Sequence, residues 1–326
     1  MIIVTGGAGF IGSSIVWYLN QRNIDDILIV DNLGKTEKWK NLVNLKFTDY
    51  IEKDLFLENL FHGIYDKENI EAIYHMGACS STQEQDASYL VENNFEYTKI
   101  LAEFCCKKNI KFIYASSAAT YGDGGNGYSD LGIEGLQPLN MYGYSKHIFD
   151  LWAEKQGYFD AKNLIIGIKF FNVYGPNEGH KAEMRSMINK ACAQIKETGK
   201  IGLFKSYKSE YSDGDQMRDF IYVKDAVDIV CKLADQNKSG IYNVGTGQAN
   251  SWNELAGAIF KAMKVEENIE YIPMPEILQG KYQYFTEADM HKTLAVIGEH
   301  GFYSLEDAVA DYVKNYLQDN TYLGTE

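Results

Sequence analysis

Short, nearly unbroken apolar runs recur through the first half of the chain: Ile2–Thr5, Ile27–Val30, Ala72–His75, Phe112–Ser116 and Leu164–Phe170. Runs this short, rich in β-branched residues and without alternation, are read as strands buried on both faces. Between them, apolar positions recur at helical spacing over Phe10–Gln21, Leu55–Ile64, Ser88–Lys108 and Tyr142–Gln156. Strand–helix alternation predicts right-handed crossovers and a doubly wound parallel α/β sheet. After about Gly175 the rhythm changes. Helices are expected over Lys181–Thr198, Ala226–Ala234, Trp252–Met263 and Leu305–Leu317, and strands over Phe220–Val223, Ile241–Val244 and Glu270–Ile272. The Tyr/Ser/Asp-rich stretch Ser206–Gln216 is expected to be a loop.

One turn changes this picture from architecture to chemistry. Thr5-Gly6-Gly7-Ala8-Gly9-Phe10-Ile11-Gly12 follows the first strand and opens a helix. Glycines there permit a tight turn and close approach of the backbone to a pyrophosphate, and the helix N-terminus supplies N–H donors. Asp31 closes the second strand, about 20 residues on, where the Rossmann fingerprint places a ribose-binding acid. Asp31 alone favours NAD, because a carboxylate repels a 2′-phosphate. Asn32, Lys35, Lys38, Lys40 and Lys53 nearby suit a 2′-phosphate, so the residues leave NAD and NADP both open. The expected division is a dinucleotide-binding domain over 1–176, with 219–247 returning to it, and a smaller C-terminal α/β substrate domain over 177–326.

A second pair of motifs carries reactivity. Tyr114-Ala115-Ser116-Ser117-Ala118-Ala119-Thr120-Tyr121-Gly122 stands at a strand end, and Tyr142-Gly143-Tyr144-Ser145-Lys146 opens a helix. Tyr and Lys four apart share a helix face. An ammonium nearby favours the phenolate and brings a tyrosine towards base strength at neutral pH. Ser117 can then hydrogen-bond the reacting oxygen.

Composition narrows the partners. The 326 residues include 31 basic and 45 acidic ones, a net charge of −14. That excludes a basic nucleic-acid footprint, so an anionic ligand must be held by a few local cations and N–H groups. No apolar run nears the ~20 residues needed to span a bilayer, and the opening residues read as a strand rather than a targeting segment. Five cysteines, an odd number with no C-x-x-C pair, fit neither a disulfide framework nor zinc, and point to the cytoplasm. Six scattered histidines give no metal pair.

Together the motifs resemble the extended short-chain dehydrogenase/reductase superfamily. Asp31-Asn32-Leu33, Gly77-Ala78-Cys79-Ser80-Ser81-Thr82, Phe171-Asn172-Val173-Tyr174-Gly175-Pro176, Glu178-Gly179-His180-Lys181, Arg218-Asp219-Phe220 and Gly280-Lys281-Tyr282-Gln283 resemble one family within it, the ADP-L-glycero-D-manno-heptose 6-epimerases of lipopolysaccharide inner-core synthesis. The resemblance implies an isomerase that inverts C6″ of an ADP-heptose through a transient ketone. It implies tightly held NADP, with NAD as the alternative. It also implies a homo-oligomer, a pentamer among the forms.

The resemblance further implies roles. Tyr142, Lys146, Ser117 and Lys181 would be catalytic, Lys181 as a second acid/base. Gly6, Gly7, Gly9, Phe10, Ile11, Gly12, Asp31, Asn32, Lys38, Lys53, Met76, Gly77, Ala78, Cys79, Ser80, Asn93, Lys146, Val173 and Lys181 would meet the cofactor. Ser117, Asn172, Glu183, Lys190, Phe204, Lys205, Ser206, Tyr207, Arg218 and Tyr282 would meet the substrate. Glu183 and Lys190 depart from the family, which carries Ser and His there. The alternatives are another nucleotide-sugar epimerase or dehydratase, and a non-catalytic dinucleotide sensor. Ala118-Ala119 stand where a dehydratase carries its acid pair, and the intact Ser117, Tyr142 and Lys146 argue against a sensor.

Overall fold

The structure is a computed structural model that describes residues 1–160, 164–279 and 282–325; Gly280 and Lys281 of the last motif above lie outside them. The strands are β1 (Ile2–Thr5), β2 (Ile27–Asp31), β3 (Asp49–Glu52), β4 (Ala72–His75), β5 (Lys111–Ser117), β6 (Ile165–Phe170), β7 (Asn172–Tyr174), β8 (Ile201–Phe204), β9 (Met217–Tyr222), β10 (Gly240–Val244), β11 (Ala249–Ser251) and β12 (Ile269–Ile272). Seven form one parallel sheet in the order β3-β2-β1-β4-β5-β6-β10. Residues of β1, β2, β4, β6 and β10 are buried along their whole length, which is why their sequences do not alternate. The order reverses beside β1, between β1 and β4. In such sheets ligands bind at that crevice, outside the carboxyl ends of the strands.

The chain leaves the large sheet after β6 and re-enters it at β10, through a helix over Val223–Asp235 that packs on the first helix, Phe10–Gln21. The excursion and the end of the chain build two small sheets, β11-β9-β7 and β12-β8, with helices over Met187–Thr198, Trp252–Met263 and Leu305–Tyr312. Ser251 and Glu254 close a capping box on the second of these, which starts where the sequence predicts.

Three expectations need correction. β3 was not expected. It is a half-exposed edge strand with acids at both ends, so it lacks the apolar run that marked the others. Lys181–Thr198 is not one helix: a short 3-10 segment over Gly179–Met184 is followed by a break, and the helix proper starts at Met187 under a Ser186 cap. The helical stretch before Lys108 carries a wide π turn over Val91–Glu96, and another occupies Val313–Leu317. Among the described residues no helix is long and apolar enough to cross a membrane, no group of metal-ligating side chains gathers, and all five cysteines are free thiols.

Candidate active site

The glycine turn is shaped by contact. Gly6 sits at φ +65°, and a Cβ there would lie 2.6 Å from the Gly77 nitrogen; one on Gly12 would lie 2.1 Å from the Gly6 oxygen. The Phe10–Gln21 helix starts at Gly9 with no side-chain cap and no acid in its first turn. Its leading N–H groups therefore remain for a ligand, with Gly9, Phe10, Ile11 and Gly12 lining a cavity of about 200 Å³. Gly7 does not line it. Gly7 is buried, with room for a Cβ closed by Ile29 at 2.8 Å, so its smallness serves packing.

The same crevice continues into a cavity of about 490 Å³ bordered by Asp31, Asn32, Lys38, Lys53, Gly77, Ala78, Cys79 and Asn93. Met76 and Ser80 border the smaller cavity. Asp31 is buried and already accepts three hydrogen bonds. Its carboxylate accepts from the Ala8 N–H (2.8 Å), the Asn32 N–H (2.7 Å) and the Lys38 ammonium (2.6 Å). Lys53 donates to Asn93 (2.9 Å). Asn94 clamps the backbone of Cys79 in both directions, at 2.8 and 2.9 Å.

At the carboxyl end of β5, Ser117 caps a 3-10 turn by accepting from the Ala119 N–H (3.1 Å). Tyr142 and Lys146 follow the Asn140 cap of the helix Met141–Lys155. The Tyr142 phenol interacts with the Ser117 hydroxyl. Burial raises its pKa above the ordinary value, and Ser117 works in the other direction. The sequence reading expected a lowered phenol; in the protein alone the net direction is up. Lys146 is buried, and desolvation pushes its ammonium down to about 8 against the pull of Asp150. Behind them lies a fully buried ion pair. Asp150 accepts from Lys169 (2.7 Å), Tyr114 (2.8 Å) and Ser116 (2.7 Å), and Lys169 also reaches Thr120 (2.6 Å).

A further cavity of about 540 Å³ opens between the large sheet's edge and the small sheets. Asn172, Val173, Lys190, Phe204 and Tyr282 line it, as do Met184, Arg185 and Trp252, which the sequence did not single out. Lys181 borders both this cavity and the glycine-turn cavity, its ammonium 5.4 Å from the Phe10 ring centre; burial lowers its pKa, opposed by Glu178. Three cations and no carboxylate appear among the described lining residues, in a chain of net charge −14. Arg218 is buried with its guanidinium 4.9 Å from the Tyr282 ring centre and 5.9 Å from that of Trp252. Asp219 is not its partner, being occupied by the Thr246, Gly247 and Ala288 N–H groups. Glu183 is exposed and does not line the cavity. Lys205, Ser206 and Tyr207 also stand off its wall, with Ser206 and Tyr207 tied to Tyr284.

A glycine-turn crevice at the carboxyl end of a parallel sheet, with Ser117, Tyr142 and Lys146 at the end of β5, is the architecture of a dinucleotide-dependent α/β enzyme. Residues 2–245 match the NAD dependent epimerase/dehydratase family, and the chain belongs to it. A relative from Nitratidesulfovibrio vulgaris (strain DP4), named ADP-L-glycero-D-manno-heptose-6-epimerase, is 53% identical over 320 residues, covering 97% of this chain and 98% of its own. One of the same name from Fusobacterium nucleatum is 52% identical over 338 residues, covering 99% and 100%. The crystal structure of the Helicobacter pylori enzyme of that name superposes with a TM-score of 0.81 at 27% identity, covering 96% and 95%. Within the wider family, this chain stands among the ADP-L-glycero-D-manno-heptose-6-epimerases.

Proposed function

We infer that this protein is an isomerase that interconverts ADP-D-glycero-D-manno-heptose and ADP-L-glycero-D-manno-heptose at C6″, using a nicotinamide dinucleotide that is not consumed. The observation that carries the reading is Lys181. It is a half-buried ammonium on the border between the dinucleotide crevice and a cavity with three cations and no acid among its described lining residues.

The crevice suits the dinucleotide. The uncapped helix start would meet the pyrophosphate, Gly6 and Gly77 leave no room for a side chain between them, and Val173, on the wall of the other cavity, would stand at the nicotinamide end. We propose NADP. Lys38 neutralises Asp31, which removes the repulsion a free carboxylate would exert, and Lys38 and Lys53 both border the adenosine side. A dinucleotide held by these residues would supply reversible hydride transfer at C6″.

The protein's own part is proton movement and grip. Tyr142 takes the C6″ hydroxyl proton, Ser117 hydrogen-bonds the same oxygen, and Lys146, one helical turn on, supplies positive charge to the site. Inversion presents the oxygen to the site from two directions, so one base does not serve both, and Lys181 acts at the second. Arg218 suits a diphosphate through its planar fork, with Lys190, Phe204 and Tyr282 bordering the nucleotide. We further propose that the enzyme works in the cytoplasm in lipopolysaccharide inner-core synthesis, as a homo-oligomer.

The test is NMR at C6″ of ADP-D-glycero-D-manno-heptose with purified protein and no added cofactor. Appearance of the L-glycero epimer is the expected result. Conversion only of UDP- or GDP-sugars overturns the substrate; silence on every sugar overturns the activity.

A further inference from the structure

We propose that Glu178–Arg185 is a braced loop in which Ala182 and Arg185 are positioning residues for Lys181. The inference rests on the acid/base reading of Lys181 given above.

The loop is tied at both ends. Asn177 is buried: its amide donates to Ser13 (3.0 Å), its backbone carbonyl accepts from Asn41 (3.0 Å), and its side-chain oxygen accepts from the Leu323 N–H (3.1 Å). Glu178, 1% exposed, reaches across the loop. Its carboxylate accepts from the Ser186 N–H (2.6 Å) and hydroxyl (2.5 Å), and from the Tyr312 hydroxyl (2.9 Å). The two ends are thus held by one buried carboxylate.

At the apex the backbone is strained. Ala182 adopts φ +48°, ψ −120°, a conformation that L side chains rarely take. Such residues persist only where their surroundings over-determine them. Here the surroundings are Arg185. Its Nε donates to the Ala182 carbonyl at 2.7 Å and its backbone N–H at 3.3 Å, and Nη1 donates to Asn189 (3.1 Å) on the following helix. Arg185 has no carboxylate partner among the described residues, so this grip is what its guanidinium does in the free protein. Lys181 is the residue before the strained one. A regular helix, which the sequence pattern favours, would need no positive φ; in the observed turn Lys181 borders both cavities.

The experiment compares Ala182→Gly and Arg185→Met, each in wild-type protein and in a Lys181→Met background, by NMR kinetics and thermal melting. Glycine accepts the observed φ without strain and also accepts many others. Ala182→Gly should therefore melt no lower than wild type and yet turn over more slowly. We expect kcat to fall about tenfold or more in both variants, a displacement of the order of 1 Å being enough for that, with KM within about threefold. In the Lys181→Met background neither change should cost anything further. Equal losses in both backgrounds, or wild-type kcat in both single variants, overturn the brace. Wild-type kcat in Lys181→Met itself overturns the acid/base reading instead, and is seen separately. Should Arg185→Met fail to fold, Ala182→Gly decides alone.

Discussion

The two halves of the site are built from different material. The glycine-turn crevice is built around backbone at the carboxyl edge of a sheet, and several of its side chains are already engaged, while the N–H groups of the helix start stay free: Asp31 holds three donors and Asn94 clamps Cys79. The substrate cavity is made by long side chains and rings drawn from distant parts of the chain, among them Arg185, Trp252 and Tyr282. No acid stands among its described lining residues. On the proposed reading the first half would recognise its ligand by shape fixed in advance. The second would recognise its ligand largely by charge, so losses on mutation there should be specific to substrate.

The largest expected effect lies at the Ser117–Tyr142–Lys146 cluster. Tyr142→Phe should lower turnover by about 10²- to 10⁴-fold, the usual worth of a general acid/base, while fluorescence titration shows dinucleotide affinity unchanged. A parallel loss of cofactor binding would mean the halves are not separable. Beneath both halves, Asp150→Asn strands Lys169 in a site with no exposure and should cost about 3–5 kcal/mol in urea unfolding. The surface pair Lys200–Glu270 should cost about 0–1 kcal/mol on the same measurement.

Arg218→Met sharpens the contrast from the substrate side. It should raise KM for ADP-heptose by about 10- to 100-fold, from about 1.5–3 kcal/mol for a charged hydrogen bond, and leave dinucleotide affinity unchanged. Lys38→Met does the reverse: NADP affinity drops about tenfold as Asp31 is unmasked, NAD affinity changes less, and sugar KM stays. The smallest effect is on pH. Lys146 holds its proton less tightly here, at about 8, than at its ordinary 10.5. Between those values the unfolded chain binds more protons, so this group's contribution to stability rises with pH. Activity that needs the ammonium falls above about 8. Lys146→Arg, charged throughout, should flatten that fall in kcat measured from pH 7 to 10.

Legibility followed the same division. The glycine turn, Asp31 and the Tyr142/Lys146 pair are local: strand, turn and helix period announce them. Asp150 was also within reach, since it lies one turn beyond Lys146 on the same helix face, yet its partner Lys169 is on another element. Arg185 was not within reach. It sits four residues from Lys181, but the segment is not helical there, so spacing says nothing of their relation. β3 was hidden because an edge strand need not be apolar, and Gly7 counted as a ligand contact because only the packing against Ile29 shows otherwise.

The return of β10 to the large sheet bears on how the molecule is made. The strand beside β6 is not synthesised until the whole excursion through β7, β8 and β9 has been, so a nascent chain carries β6 with one edge bare for that interval. A fragment cut after Pro176 would carry the same bare edge permanently, a row of unpaired N–H and C=O groups along an apolar strand, the kind of edge that pairs with other chains. Such a fragment should aggregate, and residues 240–244 supplied as a separate peptide would be the complement that quiets it.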